Sequence, residues 1–318
     1  MKSYVTGGSG FVGRNLIAYL RGRGHEVRAL ARSDAAVAAV EKAGAIAVRG
    51  DLEDPKGLAG CEVVFHSAAK VEDWGPRADF QRANVDGTQR LCGAARAAGV
   101  RRLVHVSTEA VLLGGKPIHG ADESWPLPAR PLGMYPWSKG LAEGIVREAN
   151  RDGLETIIVR PRFVWGEGDT TLLPKLVDMI KSGKFAWIAG GRVQTSTCHV
   201  ENLCAALLLA AEKSKPGETY FVTDGPPVEI RDFWTRLFAT QGVVPKAPSI
   251  PHWAAAAAAW VLEGVFQLLG LRGPPPITRM AVKLVGEDVT VDDSKIRREL
   301  GFVPPVTREA GLARMSHR

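Results

Sequence analysis

Short apolar runs recur along the first half of the chain at 3–6, 27–30, 46–48, 63–66, 103–107 and 156–160, each of strand length. Between most of them lie stretches with apolar residues at helical spacing, at 12–23, 34–43, 79–98 and 136–150. Alternating strands and helices imply a Rossmann-type α/β fold, a doubly wound parallel sheet with helices on both faces. After residue 160 the pattern changes. Helices are expected at about 172–182, 200–212, 230–241 and 252–270, with short strands near 185–188, 195–199 and 219–223, broken by Gly190-Gly191, Pro226-Pro227 and Pro274-Pro275-Pro276. The division expected is a dinucleotide domain over 1–165, with segments returning at about 193–224, and a smaller, mainly substrate-binding lobe over 166–318.

Ligands on such sheets bind beyond the carboxyl ends of the strands, so the residues just after each run carry the chemistry. The first run is followed by Thr6-Gly7-Gly8-Ser9-Gly10-Phe11-Val12-Gly13. Gly7 permits a tight strand-to-helix turn, Gly10 lets backbone N–H groups approach a pyrophosphate, and Gly13 lets the next helix pack closely. That helix, with Leu16, Ile17 and Leu20 on one face, points its positive end at the phosphates. At the exit of the second strand, Ala31 stands where an NAD-binding chain places a carboxylate, with Arg32 next. Arg32 either meets a 2′-phosphate, which favours NADP(H) and leaves NAD(H) open, or faces solvent at the start of a helix. Asp51-Leu52, after the third strand, either meets the adenine or, through Asp51, caps a short helix.

Tyr135-Pro136-Trp137-Ser138-Lys139 sets a phenol and an ammonium four residues apart, on one helical face, with Pro136 in the first turn. A nearby ammonium is expected to lower the phenol toward working pH, as a general acid/base requires, and Lys139 can also hold ribose hydroxyls. Ser107 and Thr108, leaving the fifth run, offer hydroxyls to a substrate oxygen. Lys70 is expected either to pair with a substrate carboxylate or to lie on the surface.

The charge balance, 41 Lys and Arg against 34 Asp and Glu, is +7 but scattered, which argues against nucleic acid. Cys61, Cys92, Cys198 and Cys204 form no CxxC pair or metal-like spacing, so neither a disulfide framework nor a metal is expected, and a cytoplasmic setting without a cleavable signal is. Residues 253–271 are nearly all apolar, interrupted by Glu263 and Gln267. A buried packing helix is the first reading; a lid over an apolar substrate and a peripheral membrane contact are the others.

Together, TGGSGFVG at 6–13, HSAA at 66–69, NVDGT at 84–88, VST at 106–108, YPWSK at 135–139 and RPRFVWGEGD at 160–169 resemble an extended short-chain dehydrogenase/reductase. That resemblance makes Tyr135 the proton donor or acceptor, Lys139 its support, and Thr108 the residue that polarises the carbonyl, with Ser107 in reserve. It also implies cofactor contacts from Gly7, Gly10, Phe11, Gly13, Asp51, Leu52, Ala68 and Pro161. Residues 69–76, including Lys70 and Trp74, with 165–169 and 275–279, are similar to the 3β-hydroxysteroid dehydrogenase branch, which includes sterol-4-carboxylate dehydrogenases and 2-alkyl-3-oxoalkanoate reductases. The implied activity is hydride exchange at a secondary alcohol or ketone of a sterol-like or long-chain substrate, and a homodimer through 79–98 and 136–150. A nucleotide-sugar epimerase or dehydratase is the alternative, but Gln194 to Leu203 lack the arginine such enzymes use as a sugar-diphosphate clamp. An inactive NADP-sensing protein is the third reading.

Overall fold

The computed structural model describes residues 1–271 and 273–316; positions 272, 317 and 318 of the expected second lobe lie outside the described residues. Seven parallel strands form the central sheet: β1 (Lys2–Thr6), β2 (Glu26–Ala31), β3 (Ile46–Arg49), β4 (Val63–His66), β5 (Arg102–Val106), β6 (Glu155–Pro161) and β7 (Thr219–Val222). Their order is β7-β6-β5-β4-β1-β2-β3. The winding direction reverses between β1 and β4, which opens a crevice at their carboxyl ends.

Side chains of a strand alternate between its faces, and β1 shows what that does to the core. Val5 packs into the cluster of Leu16, Ile17, Leu203 and Leu207, from α1 (Phe11–Arg21) and the helix Val200–Lys213. Tyr4 packs into the opposite cluster, with Leu91 and Val146 from Gly87–Ala97 and Met134–Glu148. The helix expected across 79–98 is broken into Arg77–Phe80, a π-helical Gln81–Asp86 and Gly87–Ala97. The wider π turn carries Asn84, whose amide bridges the Lys70 backbone and the Ser138 hydroxyl.

The single strand expected at 195–199 is two. Gln194–Thr195 joins a small sheet with Val228–Glu229, Val289–Val291 and Ile118–Ala121, while Cys198–His199 pairs with Val164–Trp165. Between them, Ser196 accepts a bond from Val291 N and Thr197 donates to Asp224, which turns the chain. Beyond this sheet Trp165, Phe185, Trp187, Phe233, Trp234 and Phe238 form a separate aromatic core.

The helix His252–Leu268 corrects the expectation of a buried packing helix. Only Ala255, Ala259 and Glu263, a stripe four residues apart, are buried. Trp253, Trp260 and Leu268 are 74%, 68% and 88% exposed. Apolar composition alone does not report which neighbours exist to cover a face. Among the described residues no helix is long and apolar enough to cross a membrane.

Candidate active site

At the end of β1, Gly7 has φ +69°, and a Cβ there would lie 2.7 Å from the Ala68 backbone nitrogen. A Cβ on Gly13 would lie 2.1 Å from the Gly7 carbonyl oxygen, so the helix can approach the turn only without a side chain. Gly10 caps α1 with no side-chain bond, and no acidic residue occupies the first turn. The first N–H groups of α1 therefore face the crevice with no side-chain acceptor, which suits a pyrophosphate. The Phe11 side chain is in the hydrophobic core, so only its backbone can serve that site. Ala68 N donates to Thr6 Oγ1, which fixes the rim opposite the turn.

At the exit of β2, Arg32 is exposed, and the next residue, Ser33, caps the helix Asp34–Lys42. Asp51 does not cap a helix: none follows it, and its carboxylate instead accepts Glu53 N at 2.8 Å in a turn. Leu52 is half-buried beneath Gly87.

The helix Met134–Glu148 starts behind Gly133, whose φ of +101° aims it into the crevice. Tyr135 and Lys139 lie on its inner face, but their electrostatics differ from expectation. Burial, then the Glu109 charge, push the phenol above its ordinary range, while the neighbouring Thr108 hydroxyl acts the other way. The Lys139 ammonium does not relieve it, because Nζ is turned to Val106 O at 2.8 Å and His105 Nε2 at 3.0 Å. Burial lowers Lys139 to about 7, against the opposing charge of Glu143. His105 lies 5.0 Å from His66, ring to ring, and His66 is bonded to Thr6 and Thr88. Burial and the Lys139 charge keep both rings neutral, His66 down to about 3.

The two neighbouring hydroxyls are each held by a buried ion pair. Ser107 Oγ donates to Glu143 at 2.6 Å, and Glu143 is gripped by Arg160 at 2.6 and 2.8 Å. Thr108 Oγ1 donates to Glu109 at 2.9 Å, and Glu109 meets Arg162 at 2.9 Å. The Ser107 hydroxyl, held in reserve for substrate, thus gives its proton to Glu143, as Thr108 does to Glu109. Burial raises Glu143, yet the Arg160 bonds and charge outweigh it and hold its carboxyl below the usual range.

Sequence reasoning passed over His66, His105, Glu109, Glu143, Arg160 and Arg162. For all but Glu143, which lies within a helix, a signal existed: ionisable residues inside or just after apolar strand runs are rarely buried without partners.

Pro161 ends β6, buried at the same crevice. Lys70 lies 3.3 Å from Glu72 and 5.1 Å above the Phe80 ring, so it already has an acidic partner. Trp74 meets Phe266 of the helix His252–Leu268 edge-on at 6.4 Å, and Thr278 donates to Asp73 at 2.6 Å. The 70–75 segment is thereby joined to the second lobe. No cluster of metal-binding side chains occurs among the described residues.

A doubly wound sheet, an uncapped glycine turn and a Tyr/Lys helix at its mouth define a short-chain nicotinamide-dependent oxidoreductase. Residues 4–252 match the model of the 3-beta hydroxysteroid dehydrogenase/isomerase family, and the chain belongs to that family. It is 49% identical over 316 residues to a 4-hydroxy-2-methyl-3-oxo-4-farnesyl-3,4-dihydroquinoline-1-oxide ketoreductase of Stigmatella aurantiaca, covering 98% of this chain and 95% of the relative. It is 36% identical over 327 residues to a 2-alkyl-3-oxoalkanoate reductase of Stenotrophomonas maltophilia (strain K279a), covering 99% and 98%. Among solved structures, a dTDP-glucose 4,6-dehydratase from Streptomyces venezuelae with NAD and TYD bound superposes with a TM-score of 0.78 at 26% identity, covering 100% and 96%.

Proposed function

We propose that the chain is an NADP(H)-preferring reductase that interconverts a ketone and a secondary alcohol on a long-chain or polycyclic 3-oxo substrate. The observation that carries this reading is the half-buried Tyr135 phenol on one helix with Lys139, beside a glycine turn whose helix amides lack a side-chain cap. The named activities of the two sequence relatives, a farnesylated quinoline ketoreductase and an alkyl-oxoalkanoate reductase, support reduction of a large apolar ketone.

The turn of Gly7, Gly10 and Gly13 would hold the pyrophosphate, Arg32 the 2′-phosphate and Asp51-Leu52 the adenine end. Ala68 and Pro161 would flank the nicotinamide. A bound nicotinamide dinucleotide supplies or accepts the hydride. In reduction, Tyr135 gives its proton to the alkoxide oxygen that forms, and Thr108 orients that oxygen. Lys139, near neutrality in its own titration, supports Tyr135 and holds ribose hydroxyls. Lys70 pairs with a substrate carboxylate by exchanging its Glu72 contact. Trp74, Phe266 and their neighbours form the apolar wall of the substrate entrance.

The test is an absorbance screen of NADPH and NADH oxidation with long-chain 3-oxo acids, neutral long-chain ketones and sterol ketones. The proposal expects NADPH to be preferred and the apolar ketones to react. Lys70→Met should raise KM for the acids and leave the neutral ketones near wild type; equal effects on both remove the carboxylate role. Turnover of a nucleotide sugar without added dinucleotide would favour the epimerase reading instead. Tight NADPH binding with no carbonyl reduction would favour the sensor.

A further inference from the structure

Two adjacent hydroxyls meet two different clamps. Glu143 has two arginines, Arg160 and Arg147, and takes the proton of Ser107. Arg147 also reaches Thr219 Oγ1, and one Arg160 nitrogen has no hydrogen-bond partner. Glu109 has one arginine, Arg162, whose second nitrogen donates to Leu284 O of the helix Arg279–Gly286 at 2.9 Å, and whose Nε has no hydrogen-bond partner. Glu109 takes the proton of Thr108, and Thr108 Oγ1 accepts Ala110 N at 3.1 Å. Glu109, Arg162 and Thr108 are all buried, so neither charge is screened by bulk water.

We infer that Glu109, held by Arg162, is a positioning residue of the reaction centre: it sets the direction of the Thr108 hydroxyl and balances the charge facing the Tyr135 phenol. This rests on the reading of Tyr135 as the proton-transfer group. A hydroxyl has one proton. While Thr108 gives it to Glu109, a lone pair is left to accept from the phenol. As negative charge develops on Tyr135, the Thr108 proton can turn to the phenolate oxygen, and the carboxylate it leaves keeps Arg162 as partner. The backbone tie of Arg162 to Leu284 links this balance to the second lobe, whose Met280 packs in one cluster with Tyr135.

Other charges surround the phenol's helix. Lys139 and Glu143 lie on it, His105 comes from β5, and Arg160 from β6. Arg77 stacks on Trp137 from the outer side, and Lys283, from the helix at the second lobe, is bonded to Glu287. Lys139 and Arg160 already have partners of their own, which leaves the Glu109–Arg162 pair as the one that acts on the phenol through Thr108.

The consequence is an opposed pair of effects. Glu109→Gln removes the carboxylate charge that raises the phenol; Arg162→Gln leaves that charge without its ion-pair partner. A charge at this range moves a titration by about one unit or more. The alkaline limb of kcat/KM should therefore move down in Glu109→Gln and up in Arg162→Gln. Independently of turnover, the Tyr135 phenolate absorbance at 295 nm should appear in Glu109→Gln about one pH unit or more below where it appears in the wild type. That difference should vanish when Tyr135→Phe is added to both. Glu109→Asp keeps the charge but withdraws from Thr108, so kcat should fall about tenfold with the limb unmoved. A uniform loss of rate in both Gln variants, with limbs and absorbance unmoved, overturns the inference. If the Gln variants do not fold, Glu109→Asp decides: the tenfold loss in kcat with unchanged NADPH affinity supports it, and wild-type kcat overturns it. Turnover by Tyr135→Phe alone would instead overturn the reading of Tyr135, and the 295 nm result would still stand or fall separately.

Discussion

The floor beneath Tyr135 and the helix His252–Leu268 are built on opposite terms. In the floor, Ser107, Thr108, Glu109, Glu143, Arg160 and Arg162 are buried polar groups tied into two neighbouring sets of bonds. In the helix, Trp253, Trp260 and Leu268 are apolar groups left in the open. Polar groups in a dry interior cost least when paired, so these bonds restrict how the floor can be arranged. An exposed apolar face has no such constraint and tolerates different apolar partners. On the proposed function, the difference puts fixed geometry at the proton-transfer site and an adaptable apolar surface where a large substrate would arrive.

The sharpest way to break this contrast is to disturb a buried pair. Glu143→Leu leaves Arg160 without its carboxylate and should cost about 3–5 kcal/mol, read by chemical denaturation. A loss below about 1 kcal/mol would mean the floor is wetter and looser than described. Next comes the glycine turn. Gly13→Ala forces a Cβ against the Gly7 carbonyl and should cost about 3 kcal/mol and abolish NADPH binding, measured by fluorescence titration.

A smaller effect comes from acid. The unfolded His66 ring takes a proton near 6.5, whereas the folded ring does so only at about 3, so the unfolded state binds more protons between these values. Stability is therefore lost as pH falls through that window, by about 2 kcal/mol at pH 5 for one such ring. His66→Asn should flatten the fall of Tm between pH 7 and 5; an unchanged slope contradicts a neutral buried imidazole. The smallest effect on stability belongs to the helix. Trp253→Ser with Trp260→Ser should change unfolding by about 0.5 kcal/mol or less, yet raise KM for a long-chain ketone severalfold and leave a short one unaffected. Equal KM changes for both would separate the helix from substrate capture.

Much of this was readable in the chain. The apolar runs and the glycine spacing at 7, 10 and 13 marked the sheet and its turn, because strand period and Cβ sterics are local properties. The spacing of Tyr135 and Lys139 placed both on one helix for the same reason. What surrounds them was not local. Glu143 reaches Ser107 from 36 residues away, and Arg162 reaches Glu109 from 53. No window along the chain joins those pairs, so the phenol was expected to be lowered by its helical neighbour when a carboxylate and burial raise it. The expectation for the helix His252–Leu268 failed for a related reason, since its composition resembles a core and only the fold shows that a single stripe, Ala255, Ala259 and Glu263, is packed.

The most direct test of the central claim is single-turnover stopped-flow of NADPH-loaded Tyr135→Phe against wild type, with a long-chain 3-oxo substrate and NADPH affinity measured on the same samples. The account predicts cofactor affinity within about twofold of wild type and NADPH oxidation slowed about a thousandfold. Oxidation at the wild-type rate by the phenylalanine variant would contradict it.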